Sequence, residues 1–396
     1  MPRLQTKTAF WSLATVLGTL LFASAVPSPL YPVYQTEWDF SSITLTSVFA
    51  VYAVALLAAL LVVGSISDHI GRRPTLLAAL SVEIVAMVAF AAAGDVGWLF
   101  AARILQGLAT GTAMGALSAA LIDLQPKSKP WLGGLMGAVG PMTGLALGAL
   151  TAGLLVDHGP DPTRFVFWLL IGVFALSLVV IAAVPETVTR DGRWRSSLRP
   201  QVAVPPSLRA PFIAALPSLA ATWALGGLIL ALGASLTAGV LGASSHLAGG
   251  LPIFVMAGTS ALVSIWARPL APQTTARGGL VALIAGIGVA LAAISSGSEA
   301  LFLIGAGIAG VGFGPAFAGV FRTLSEAAPA DQRAALVSAV LVVSYLAFSI
   351  PAVIAGAAVT QIGLQDTAEI YGAALIAIAA IALLLSGSLG REPETA

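Results

Sequence analysis

Three polar side chains stand where the sequence around them is almost wholly apolar: Glu83, Arg103 and Gln106. Glu83 is flanked by Val82, Ile84 and Val85 near the middle of one apolar stretch. Arg103 lies inside the next, with Gln106 one turn further on the same helical face. Ionisable groups in such surroundings are costly unless they meet a partner or a polar cavity, so each is a functional candidate by default. With no cation close by, the Glu83 carboxyl is expected to rest protonated, which suits it to load and release a proton. A hydrogen-bond acceptor between helices is the structural alternative. Arg103 is about six residues from the outer end of its stretch, so snorkelling toward the interface is the rival reading there.

A second set of charges falls in a short polar turn, Gly64-Ser65-Ile66-Ser67-Asp68-His69-Ile70-Gly71-Arg72-Arg73. Gly71 suits a tight reversal between two helices. Beyond setting topology, Asp68 is expected to face the start of a later helix near Arg333, and Arg72 or Arg73 to reach Asp123. The result would be a breakable charge lock. Glycines at 137, 140, 144 and 148, with Pro141, put small residues along one stripe of a helix, a smooth face for close contact. Pro141 removes a backbone donor there and bends the helix. Tyr31, Tyr34, Tyr52, Trp223, Phe313, Phe317 and Tyr345 lie at depths where aromatic faces would touch a ligand, although Tyr31 and Tyr34 also fit an interfacial belt. Pro27, Pro29 and Pro32 imply an irregular helix tip beside Tyr31.

The rest of the chemical inventory is thin. The chain has no Cys and three His, all in or near loops, which excludes thiol chemistry and argues against a His-rich metal centre. No clustered nucleophile, ligand set or paired acids points to an enzyme or to a cofactor. A formal charge of +1 gives no footprint for nucleic acid.

These residues must be held by elements built for lipid. Of 396 residues, 58% are hydrophobic and 9% charged, whereas a soluble domain carries about 25% charged residues. Stretches of bilayer-spanning length fall at 11–33, 43–66, 75–93, 97–123, 131–156 and 165–185. After a polar connector at 186–210, six more fall at 211–236, 246–267, 278–295, 299–326, 333–359 and 367–388. With the N-terminus inside, every Lys and Arg except Arg103 and Arg164 lies on the cytoplasmic side, as the positive-inside rule requires. Both termini are therefore expected in the cytoplasm. Ala23-Ser24-Ala25 resembles a signal-peptidase site, but the run before it reads as one more span and is expected to stay uncleaved. Asp123-Leu124-Gln125-Pro126 is echoed by Glu326-Ala327-Ala328-Pro329 after similar Gly-rich stretches, which suggests a parallel repeat of two halves.

The turn at 64–73 resembles the signature connector of the Major Facilitator Superfamily, G-x-L-x-D-R-x-G-R-R, with Ile66 for Leu and His69 where a basic residue is usual. Span count, central connector and charge distribution extend the resemblance over nearly the whole chain. It implies an all-α polytopic membrane protein of twelve helices in two pseudo-symmetric bundles, residues 1–185 and 211–396, joined by the 186–210 connector. It also implies secondary transport of a small molecule by alternating access, with the Asp68, Arg72, Arg73, Asp123 and Arg333 network favouring the outward-open state. Arg103 and Gly107 resemble the family's fourth-helix R-x-x-x-G pattern, associated with proton coupling. Gln106, on the same face, is expected to join a polar network there, and Glu83 to take part in coupling, with contact between Glu83 and Arg103 left open by the sequence. Gly137, Gly140, Pro141, Gly144 and Gly148 resemble its antiporter motif, with Leu145 where a second Gly is common. The family's frequent first-helix acid is absent. Few charges lie deep in the second half, so the expected substrate is hydrophobic, weakly polar or cationic, and the expected activity is proton-coupled export. Uptake by symport or facilitation of an organic metabolite is the alternative. The protein is expected to work as a monomer in a plasma membrane, a bacterial inner membrane, with the proton as coupling ion and no cofactor.

Overall fold

A computed structural model describes residues 3–189, 195 and 198–387. Arg190, Asp191, Arg193 and Arg391, read above as cytoplasmic, fall outside the described residues. Among the described residues, 12 helices are long and apolar enough to cross a membrane. They are α1 (Thr6–Trp38), α2 (Ser42–Val63), α3 (Arg72–Ala91), α4 (Val96–Leu124), α5 (Leu132–His158) and α6 (Phe165–Ala183), then α7 (Pro206–Gly239), α8 (His246–Ala267), α9 (Pro272–Ser296), α10 (Glu299–Ala327), α11 (Arg333–Ile362) and α12 (Leu364–Leu385). Each apolar stretch of the sequence corresponds to one helix, and the differences lie at the ends. The helix α9 starts at Pro272 because Gln273, Thr274 and Thr275 form a polar first turn that an apolar criterion leaves out. Similarly, α7 enters at Pro206, inside the segment read as connector.

The largest extension is in α1. The three prolines do not end it; it breaks at Val26 into Thr6–Ala25 and Pro27–Trp38 and stops at Asp39, whose φ of 46° is left-handed. Pro27 takes the first position of the second segment, where a missing N–H costs nothing. It also leaves the Ala23 carbonyl, four residues back, without its helical donor.

Two compact units make up the chain. One comprises Met1–Phe40 and Ser47–Pro200, holding α1, most of α2 and α3 to α6; the other comprises Ser41–Thr46 and Gln201–Ala396, holding α7 to α12. Lipid is as apolar as Leu, so helix association here rests on close packing rather than on escape from water. In the first unit, Gly144 and Gly148 of α5 press on the backbone carbonyls of Gly18 and Phe22 in α1. In the second, a Cβ on Gly305 of α10 would lie 2.7 Å from the backbone nitrogen of Ala290 in α9. Large apolar side chains face outward instead: Trp168, Leu176, Trp266 and Leu384 are all more than half exposed, the pattern of a surface bathed in lipid rather than water.

Candidate functional site

Glycine places the central side chains. A Cβ on Gly107 of α4 would stand 2.5 Å from the Tyr52 carbonyl of α2 and 2.8 Å from the Ala55 Cβ. The two backbones thus touch one turn from Arg103, and Tyr52 is drawn over it. Arg103 and Gln106, three apart, then point from α4 toward the break in α1 and toward α3.

The Arg103 guanidinium is 1% exposed, and Glu83 and Gln106 are fully buried. Arg103 Nε and Nη2 both donate to the Tyr31 hydroxyl, at 2.9 and 2.6 Å. Its Nη1 donates to the Ser24 carbonyl at 3.0 Å and to Gln106 Oε1 at 2.8 Å. The Gln106 amide nitrogen donates in turn to the freed Ala23 carbonyl at 3.2 Å and to Glu83 Oε1 at 3.3 Å. The Tyr52 and Ser24 hydroxyls lie 2.7 Å apart. Three rings stack around the cation, with centroids 5.0 Å (Tyr52), 5.5 Å (Tyr31) and 5.9 Å (Phe90) away, a favourable setting for a desolvated guanidinium. Glu83 Oε2 completes no hydrogen bond, nor do the buried hydroxyls of Ser28 and Thr110, although the Thr110 hydroxyl stands close to the Glu83 carboxyl.

The structure therefore unites Glu83, Arg103 and Gln106 in one chain of contacts, with the amide between carboxyl and guanidinium. Arg103 does not snorkel. Tyr31, expected to line a ligand path, is 1% exposed and belongs to this network instead. Buried Tyr34 donates to the Thr163 carbonyl at 3.1 Å and stacks on Trp38 at 4.7 Å. Tyr52 is also buried, turned toward Arg103. Sequence reasoning missed Ser24 and the role of Tyr31. The nearest signal was the proline run, in which Pro27 frees the Ala23 carbonyl beside Ser24.

Within the first unit, the charges of the α2–α3 turn pair with close neighbours. Asp68 pairs with Arg72 one turn on, and Arg72 Nη1 also donates to the Ser67 hydroxyl at 2.6 Å. Arg72 Nε lies 3.5 Å from Asp123 Oδ2, so Arg72 supplies the expected link to Asp123. In the second unit, Arg333 donates to the Ala328 carbonyl at 3.3 Å. The residue that sequence reasoning overlooked is Glu186. Its carboxylate accepts from the backbone N–H groups of Arg72 (2.8 Å) and Arg73 (3.1 Å), capping α3 from the far end of α6. Gly71 makes room, with φ of 105° and a hypothetical Cβ only 2.5 Å from Glu186 Oε2. Thr187, next in sequence, donates to Asp123 at 2.8 Å. Arg73 Nη1 reaches the Ala182 carbonyl at 3.4 Å. Replacing Glu186 by Ala removes a cap worth about 0.5–2 kcal/mol. Thermal unfolding of the purified protein in detergent should show a lower midpoint for Glu186→Ala, and no shift would mean that the cap contributes nothing.

Of the glycine seam, Gly144 and Gly148 make the close approach to α1. A Cβ on Gly140 would lie 3.8 Å from its nearest neighbour there, and one on Gly137 would meet nothing within 4 Å. The second unit gathers the remaining aromatics. Trp223 of α7 lies 5.5 Å from Phe317 of α10, and 4.9 and 5.9 Å from Tyr345 and Phe348 of α11. Gly226 lets the edge of Phe313 rest on α7, its hypothetical Cβ standing 3.1 Å from that ring. Trp223, Phe313 and Phe317 are half-buried. No group of three or more potential metal ligands occurs among the described residues.

The family model of the Major Facilitator Superfamily matches residues 13–352. The chain belongs to the Major Facilitator Superfamily. Its members are transporters, not enzymes, and this chain is a multi-pass membrane protein of that family. The multidrug transporter AQR1 of Candida glabrata is 27% identical over 198 residues, 48% of this chain and 33% of that protein. The curated relatives it matches are longer, and the matches span a quarter to a third of their lengths. Among solved structures, the human organic anion transporter MFSD10 superposes with a TM-score of 0.69 at 16% identity, over 96% of this chain and all of that one. A point mutant of the nucleoside transporter NupG gives 0.72 at 11% identity, over 98% of this chain and 100% of that one. At such identities these two likenesses speak for the fold alone.

Proposed function

We propose that this transporter exports a small hydrophobic, weakly polar or cationic compound in exchange for protons, by alternating access. The observation that carries the proposal is the buried chain Glu83–Gln106–Arg103, ending in a carboxyl oxygen with no partner. A carboxyl so placed can accept a proton in one of the alternating states and give it up in the other. Each transfer alters a charge in a water-poor interior, where it acts strongly on its surroundings. Gly144 and Gly148, packed tightly on α1, support export, because a sealed seam is what an antiporter needs against leak. The half-buried rings of Trp223, Phe313 and Phe317 suit a flat or cationic solute. The relative named a multidrug transporter agrees with that substrate class. Uptake by symport or facilitation of an organic metabolite is the second reading, and a nucleoside transporter of the same fold is compatible with it. We further place the protein in a plasma membrane, a bacterial inner membrane, as a monomer with both termini in the cytoplasm.

Proteoliposomes containing a pH dye test the coupling. With candidate solutes screened one at a time, beginning with lipophilic aromatic cations, export against protons predicts that a transported solute moves protons in the opposite direction. Solute movement that equilibrates with no proton flux would support facilitation instead.

A further inference from the structure

Arg103 is a buried cation whose acceptors are all neutral: a phenol, a backbone carbonyl and an amide oxygen. Four of its five N–H bonds are thereby used, two of them on the one hydroxyl of Tyr31. The nearest carboxyl, Glu83, is one amide away, and among the described residues the two form no ion pair. This is an unusual division. A guanidinium and a carboxylate brought together in a dry interior pair strongly, yet here the cation is turned from the acid and the Glu83 Oε2 oxygen is bare.

Two features hold the cation back. Gln106 fills the gap, its amide fixed by the Ala23 carbonyl that Pro27 leaves free. Tyr31 restrains the guanidinium from the opposite side through both Nε and Nη2. The hydroxyl is itself anchored, since Tyr31 is buried on the segment of α1 that starts at the Val26 break. The other groups around Glu83 are few. On α4 they are Arg103, Gln106 and Thr110; on α2 the titratable residue is Tyr52; on α1 they are Lys7, Tyr31, Tyr34 and Glu37, of which Tyr31 is the one bonded to Arg103; and α6, packed along α3, carries no titratable side chain within Phe165–Ala183. Arg103 is thus the cation available to a charged Glu83.

We propose that Tyr31 is a positioning residue: its hydroxyl holds Arg103 away while Glu83 carries a proton, and loss of that proton transfers the guanidinium from Tyr31 to the bare Oε2 oxygen. The inference rests on the reading of Glu83 as the proton carrier. In the exchange, the O–H bond of Glu83 breaks, the proton leaves to water, and the two Arg103–Tyr31 hydrogen bonds are replaced by an ion pair. Tyr31 stays a neutral phenol throughout. Proton loss is thereby coupled to movement of a side chain that bridges α4 and α1.

Infrared difference spectroscopy of the reconstituted protein tests this without any substrate. The carboxylic C=O band absent from Glu83→Gln reports the protonated acid and is followed against pH. Without the Tyr31 hydroxyl, Arg103 is free to pair with Glu83, so in Tyr31→Phe the band should be half lost at a pH about one unit or more toward acid of the unchanged chain. Tyr31→Gln, which restores an acceptor, should return the midpoint toward its original place. In an Arg103→Met background the Tyr31→Phe shift should vanish, since it acts through the guanidinium. An unmoved or alkaline midpoint in Tyr31→Phe overturns the proposal, as does a shift that survives in the Arg103→Met background. Should Tyr31→Phe not fold, Arg103→Met alone decides: its midpoint must move toward alkaline pH, and an unmoved one sinks the exchange. Failure of the coupling reading itself looks different, because uphill transport would then survive in Glu83→Gln whatever the infrared midpoints do.

Discussion

Glu83→Gln is expected to abolish uphill transport while exchange of substrate across the membrane continues. The amide keeps the size of the carboxyl and can still take part in the contact with Gln106, so the local packing is preserved. What it loses is the capacity to exist in two protonation states. A carrier locked in the neutral form can reorient with substrate but has no means to draw on a proton gradient. Accumulation against a gradient should fall at least about a hundredfold, to the level of empty vesicles, with exchange changed by less than about threefold. Parallel measurement of proton-driven accumulation and of isotope exchange in proteoliposomes checks this. Retained uphill transport would remove Glu83 from the coupling path.

The second large effect is steric. In Gly144→Val or Gly148→Val, the new Cβ would run into the Gly18 or Phe22 carbonyl of α1. Those obstacles are backbone, so no rotamer relieves the clash and the helices must part. Overpacking of this kind costs about 1–3 kcal/mol or more. It also disturbs the α1 segment that leads to Ser24 and Tyr31. Both variants should lose transport and melt several degrees earlier, while Gly137→Ala, with open space around it, should behave as the unchanged chain. A melting scan of the three variants in detergent checks the ranking, and equal behaviour at positions 137 and 148 would contradict it.

Much of this architecture was legible in the residues. Lipid demands long apolar helices, so span number followed from hydrophobic runs, while ends were misplaced where a polar first turn (272–276) was read as lying outside the helix or a run of prolines (27–32) as its irregular tip. Glu83, Arg103 and Gln106 were conspicuous because charge inside an apolar run needs a reason. That they meet through Gln106 was not legible, since helix rotation is set by contacts such as Gly107 on Tyr52, between residues far apart in the chain. Tyr31 was read by its amphipathic type as lining, although the prolines beside it were the better clue. Glu186 went unnoticed because a carboxylate after an apolar run looks like any solvated end. Its significance comes from the α3 N-terminus folded against it. Topology remains open to a simple check, because the chain has no Cys. Single cysteines placed in the 64–73 turn and the 186–210 connector should label from the same membrane face.

The account stands on the exchange of a proton at Glu83 during each transport cycle. Its most direct test is the pH change inside proteoliposomes when a transported compound moves down its own gradient from an initially uniform pH. The unchanged chain should drive protons opposite to the compound, and Glu83→Gln should drive none. Equal proton movement in both, or none in either, would contradict it.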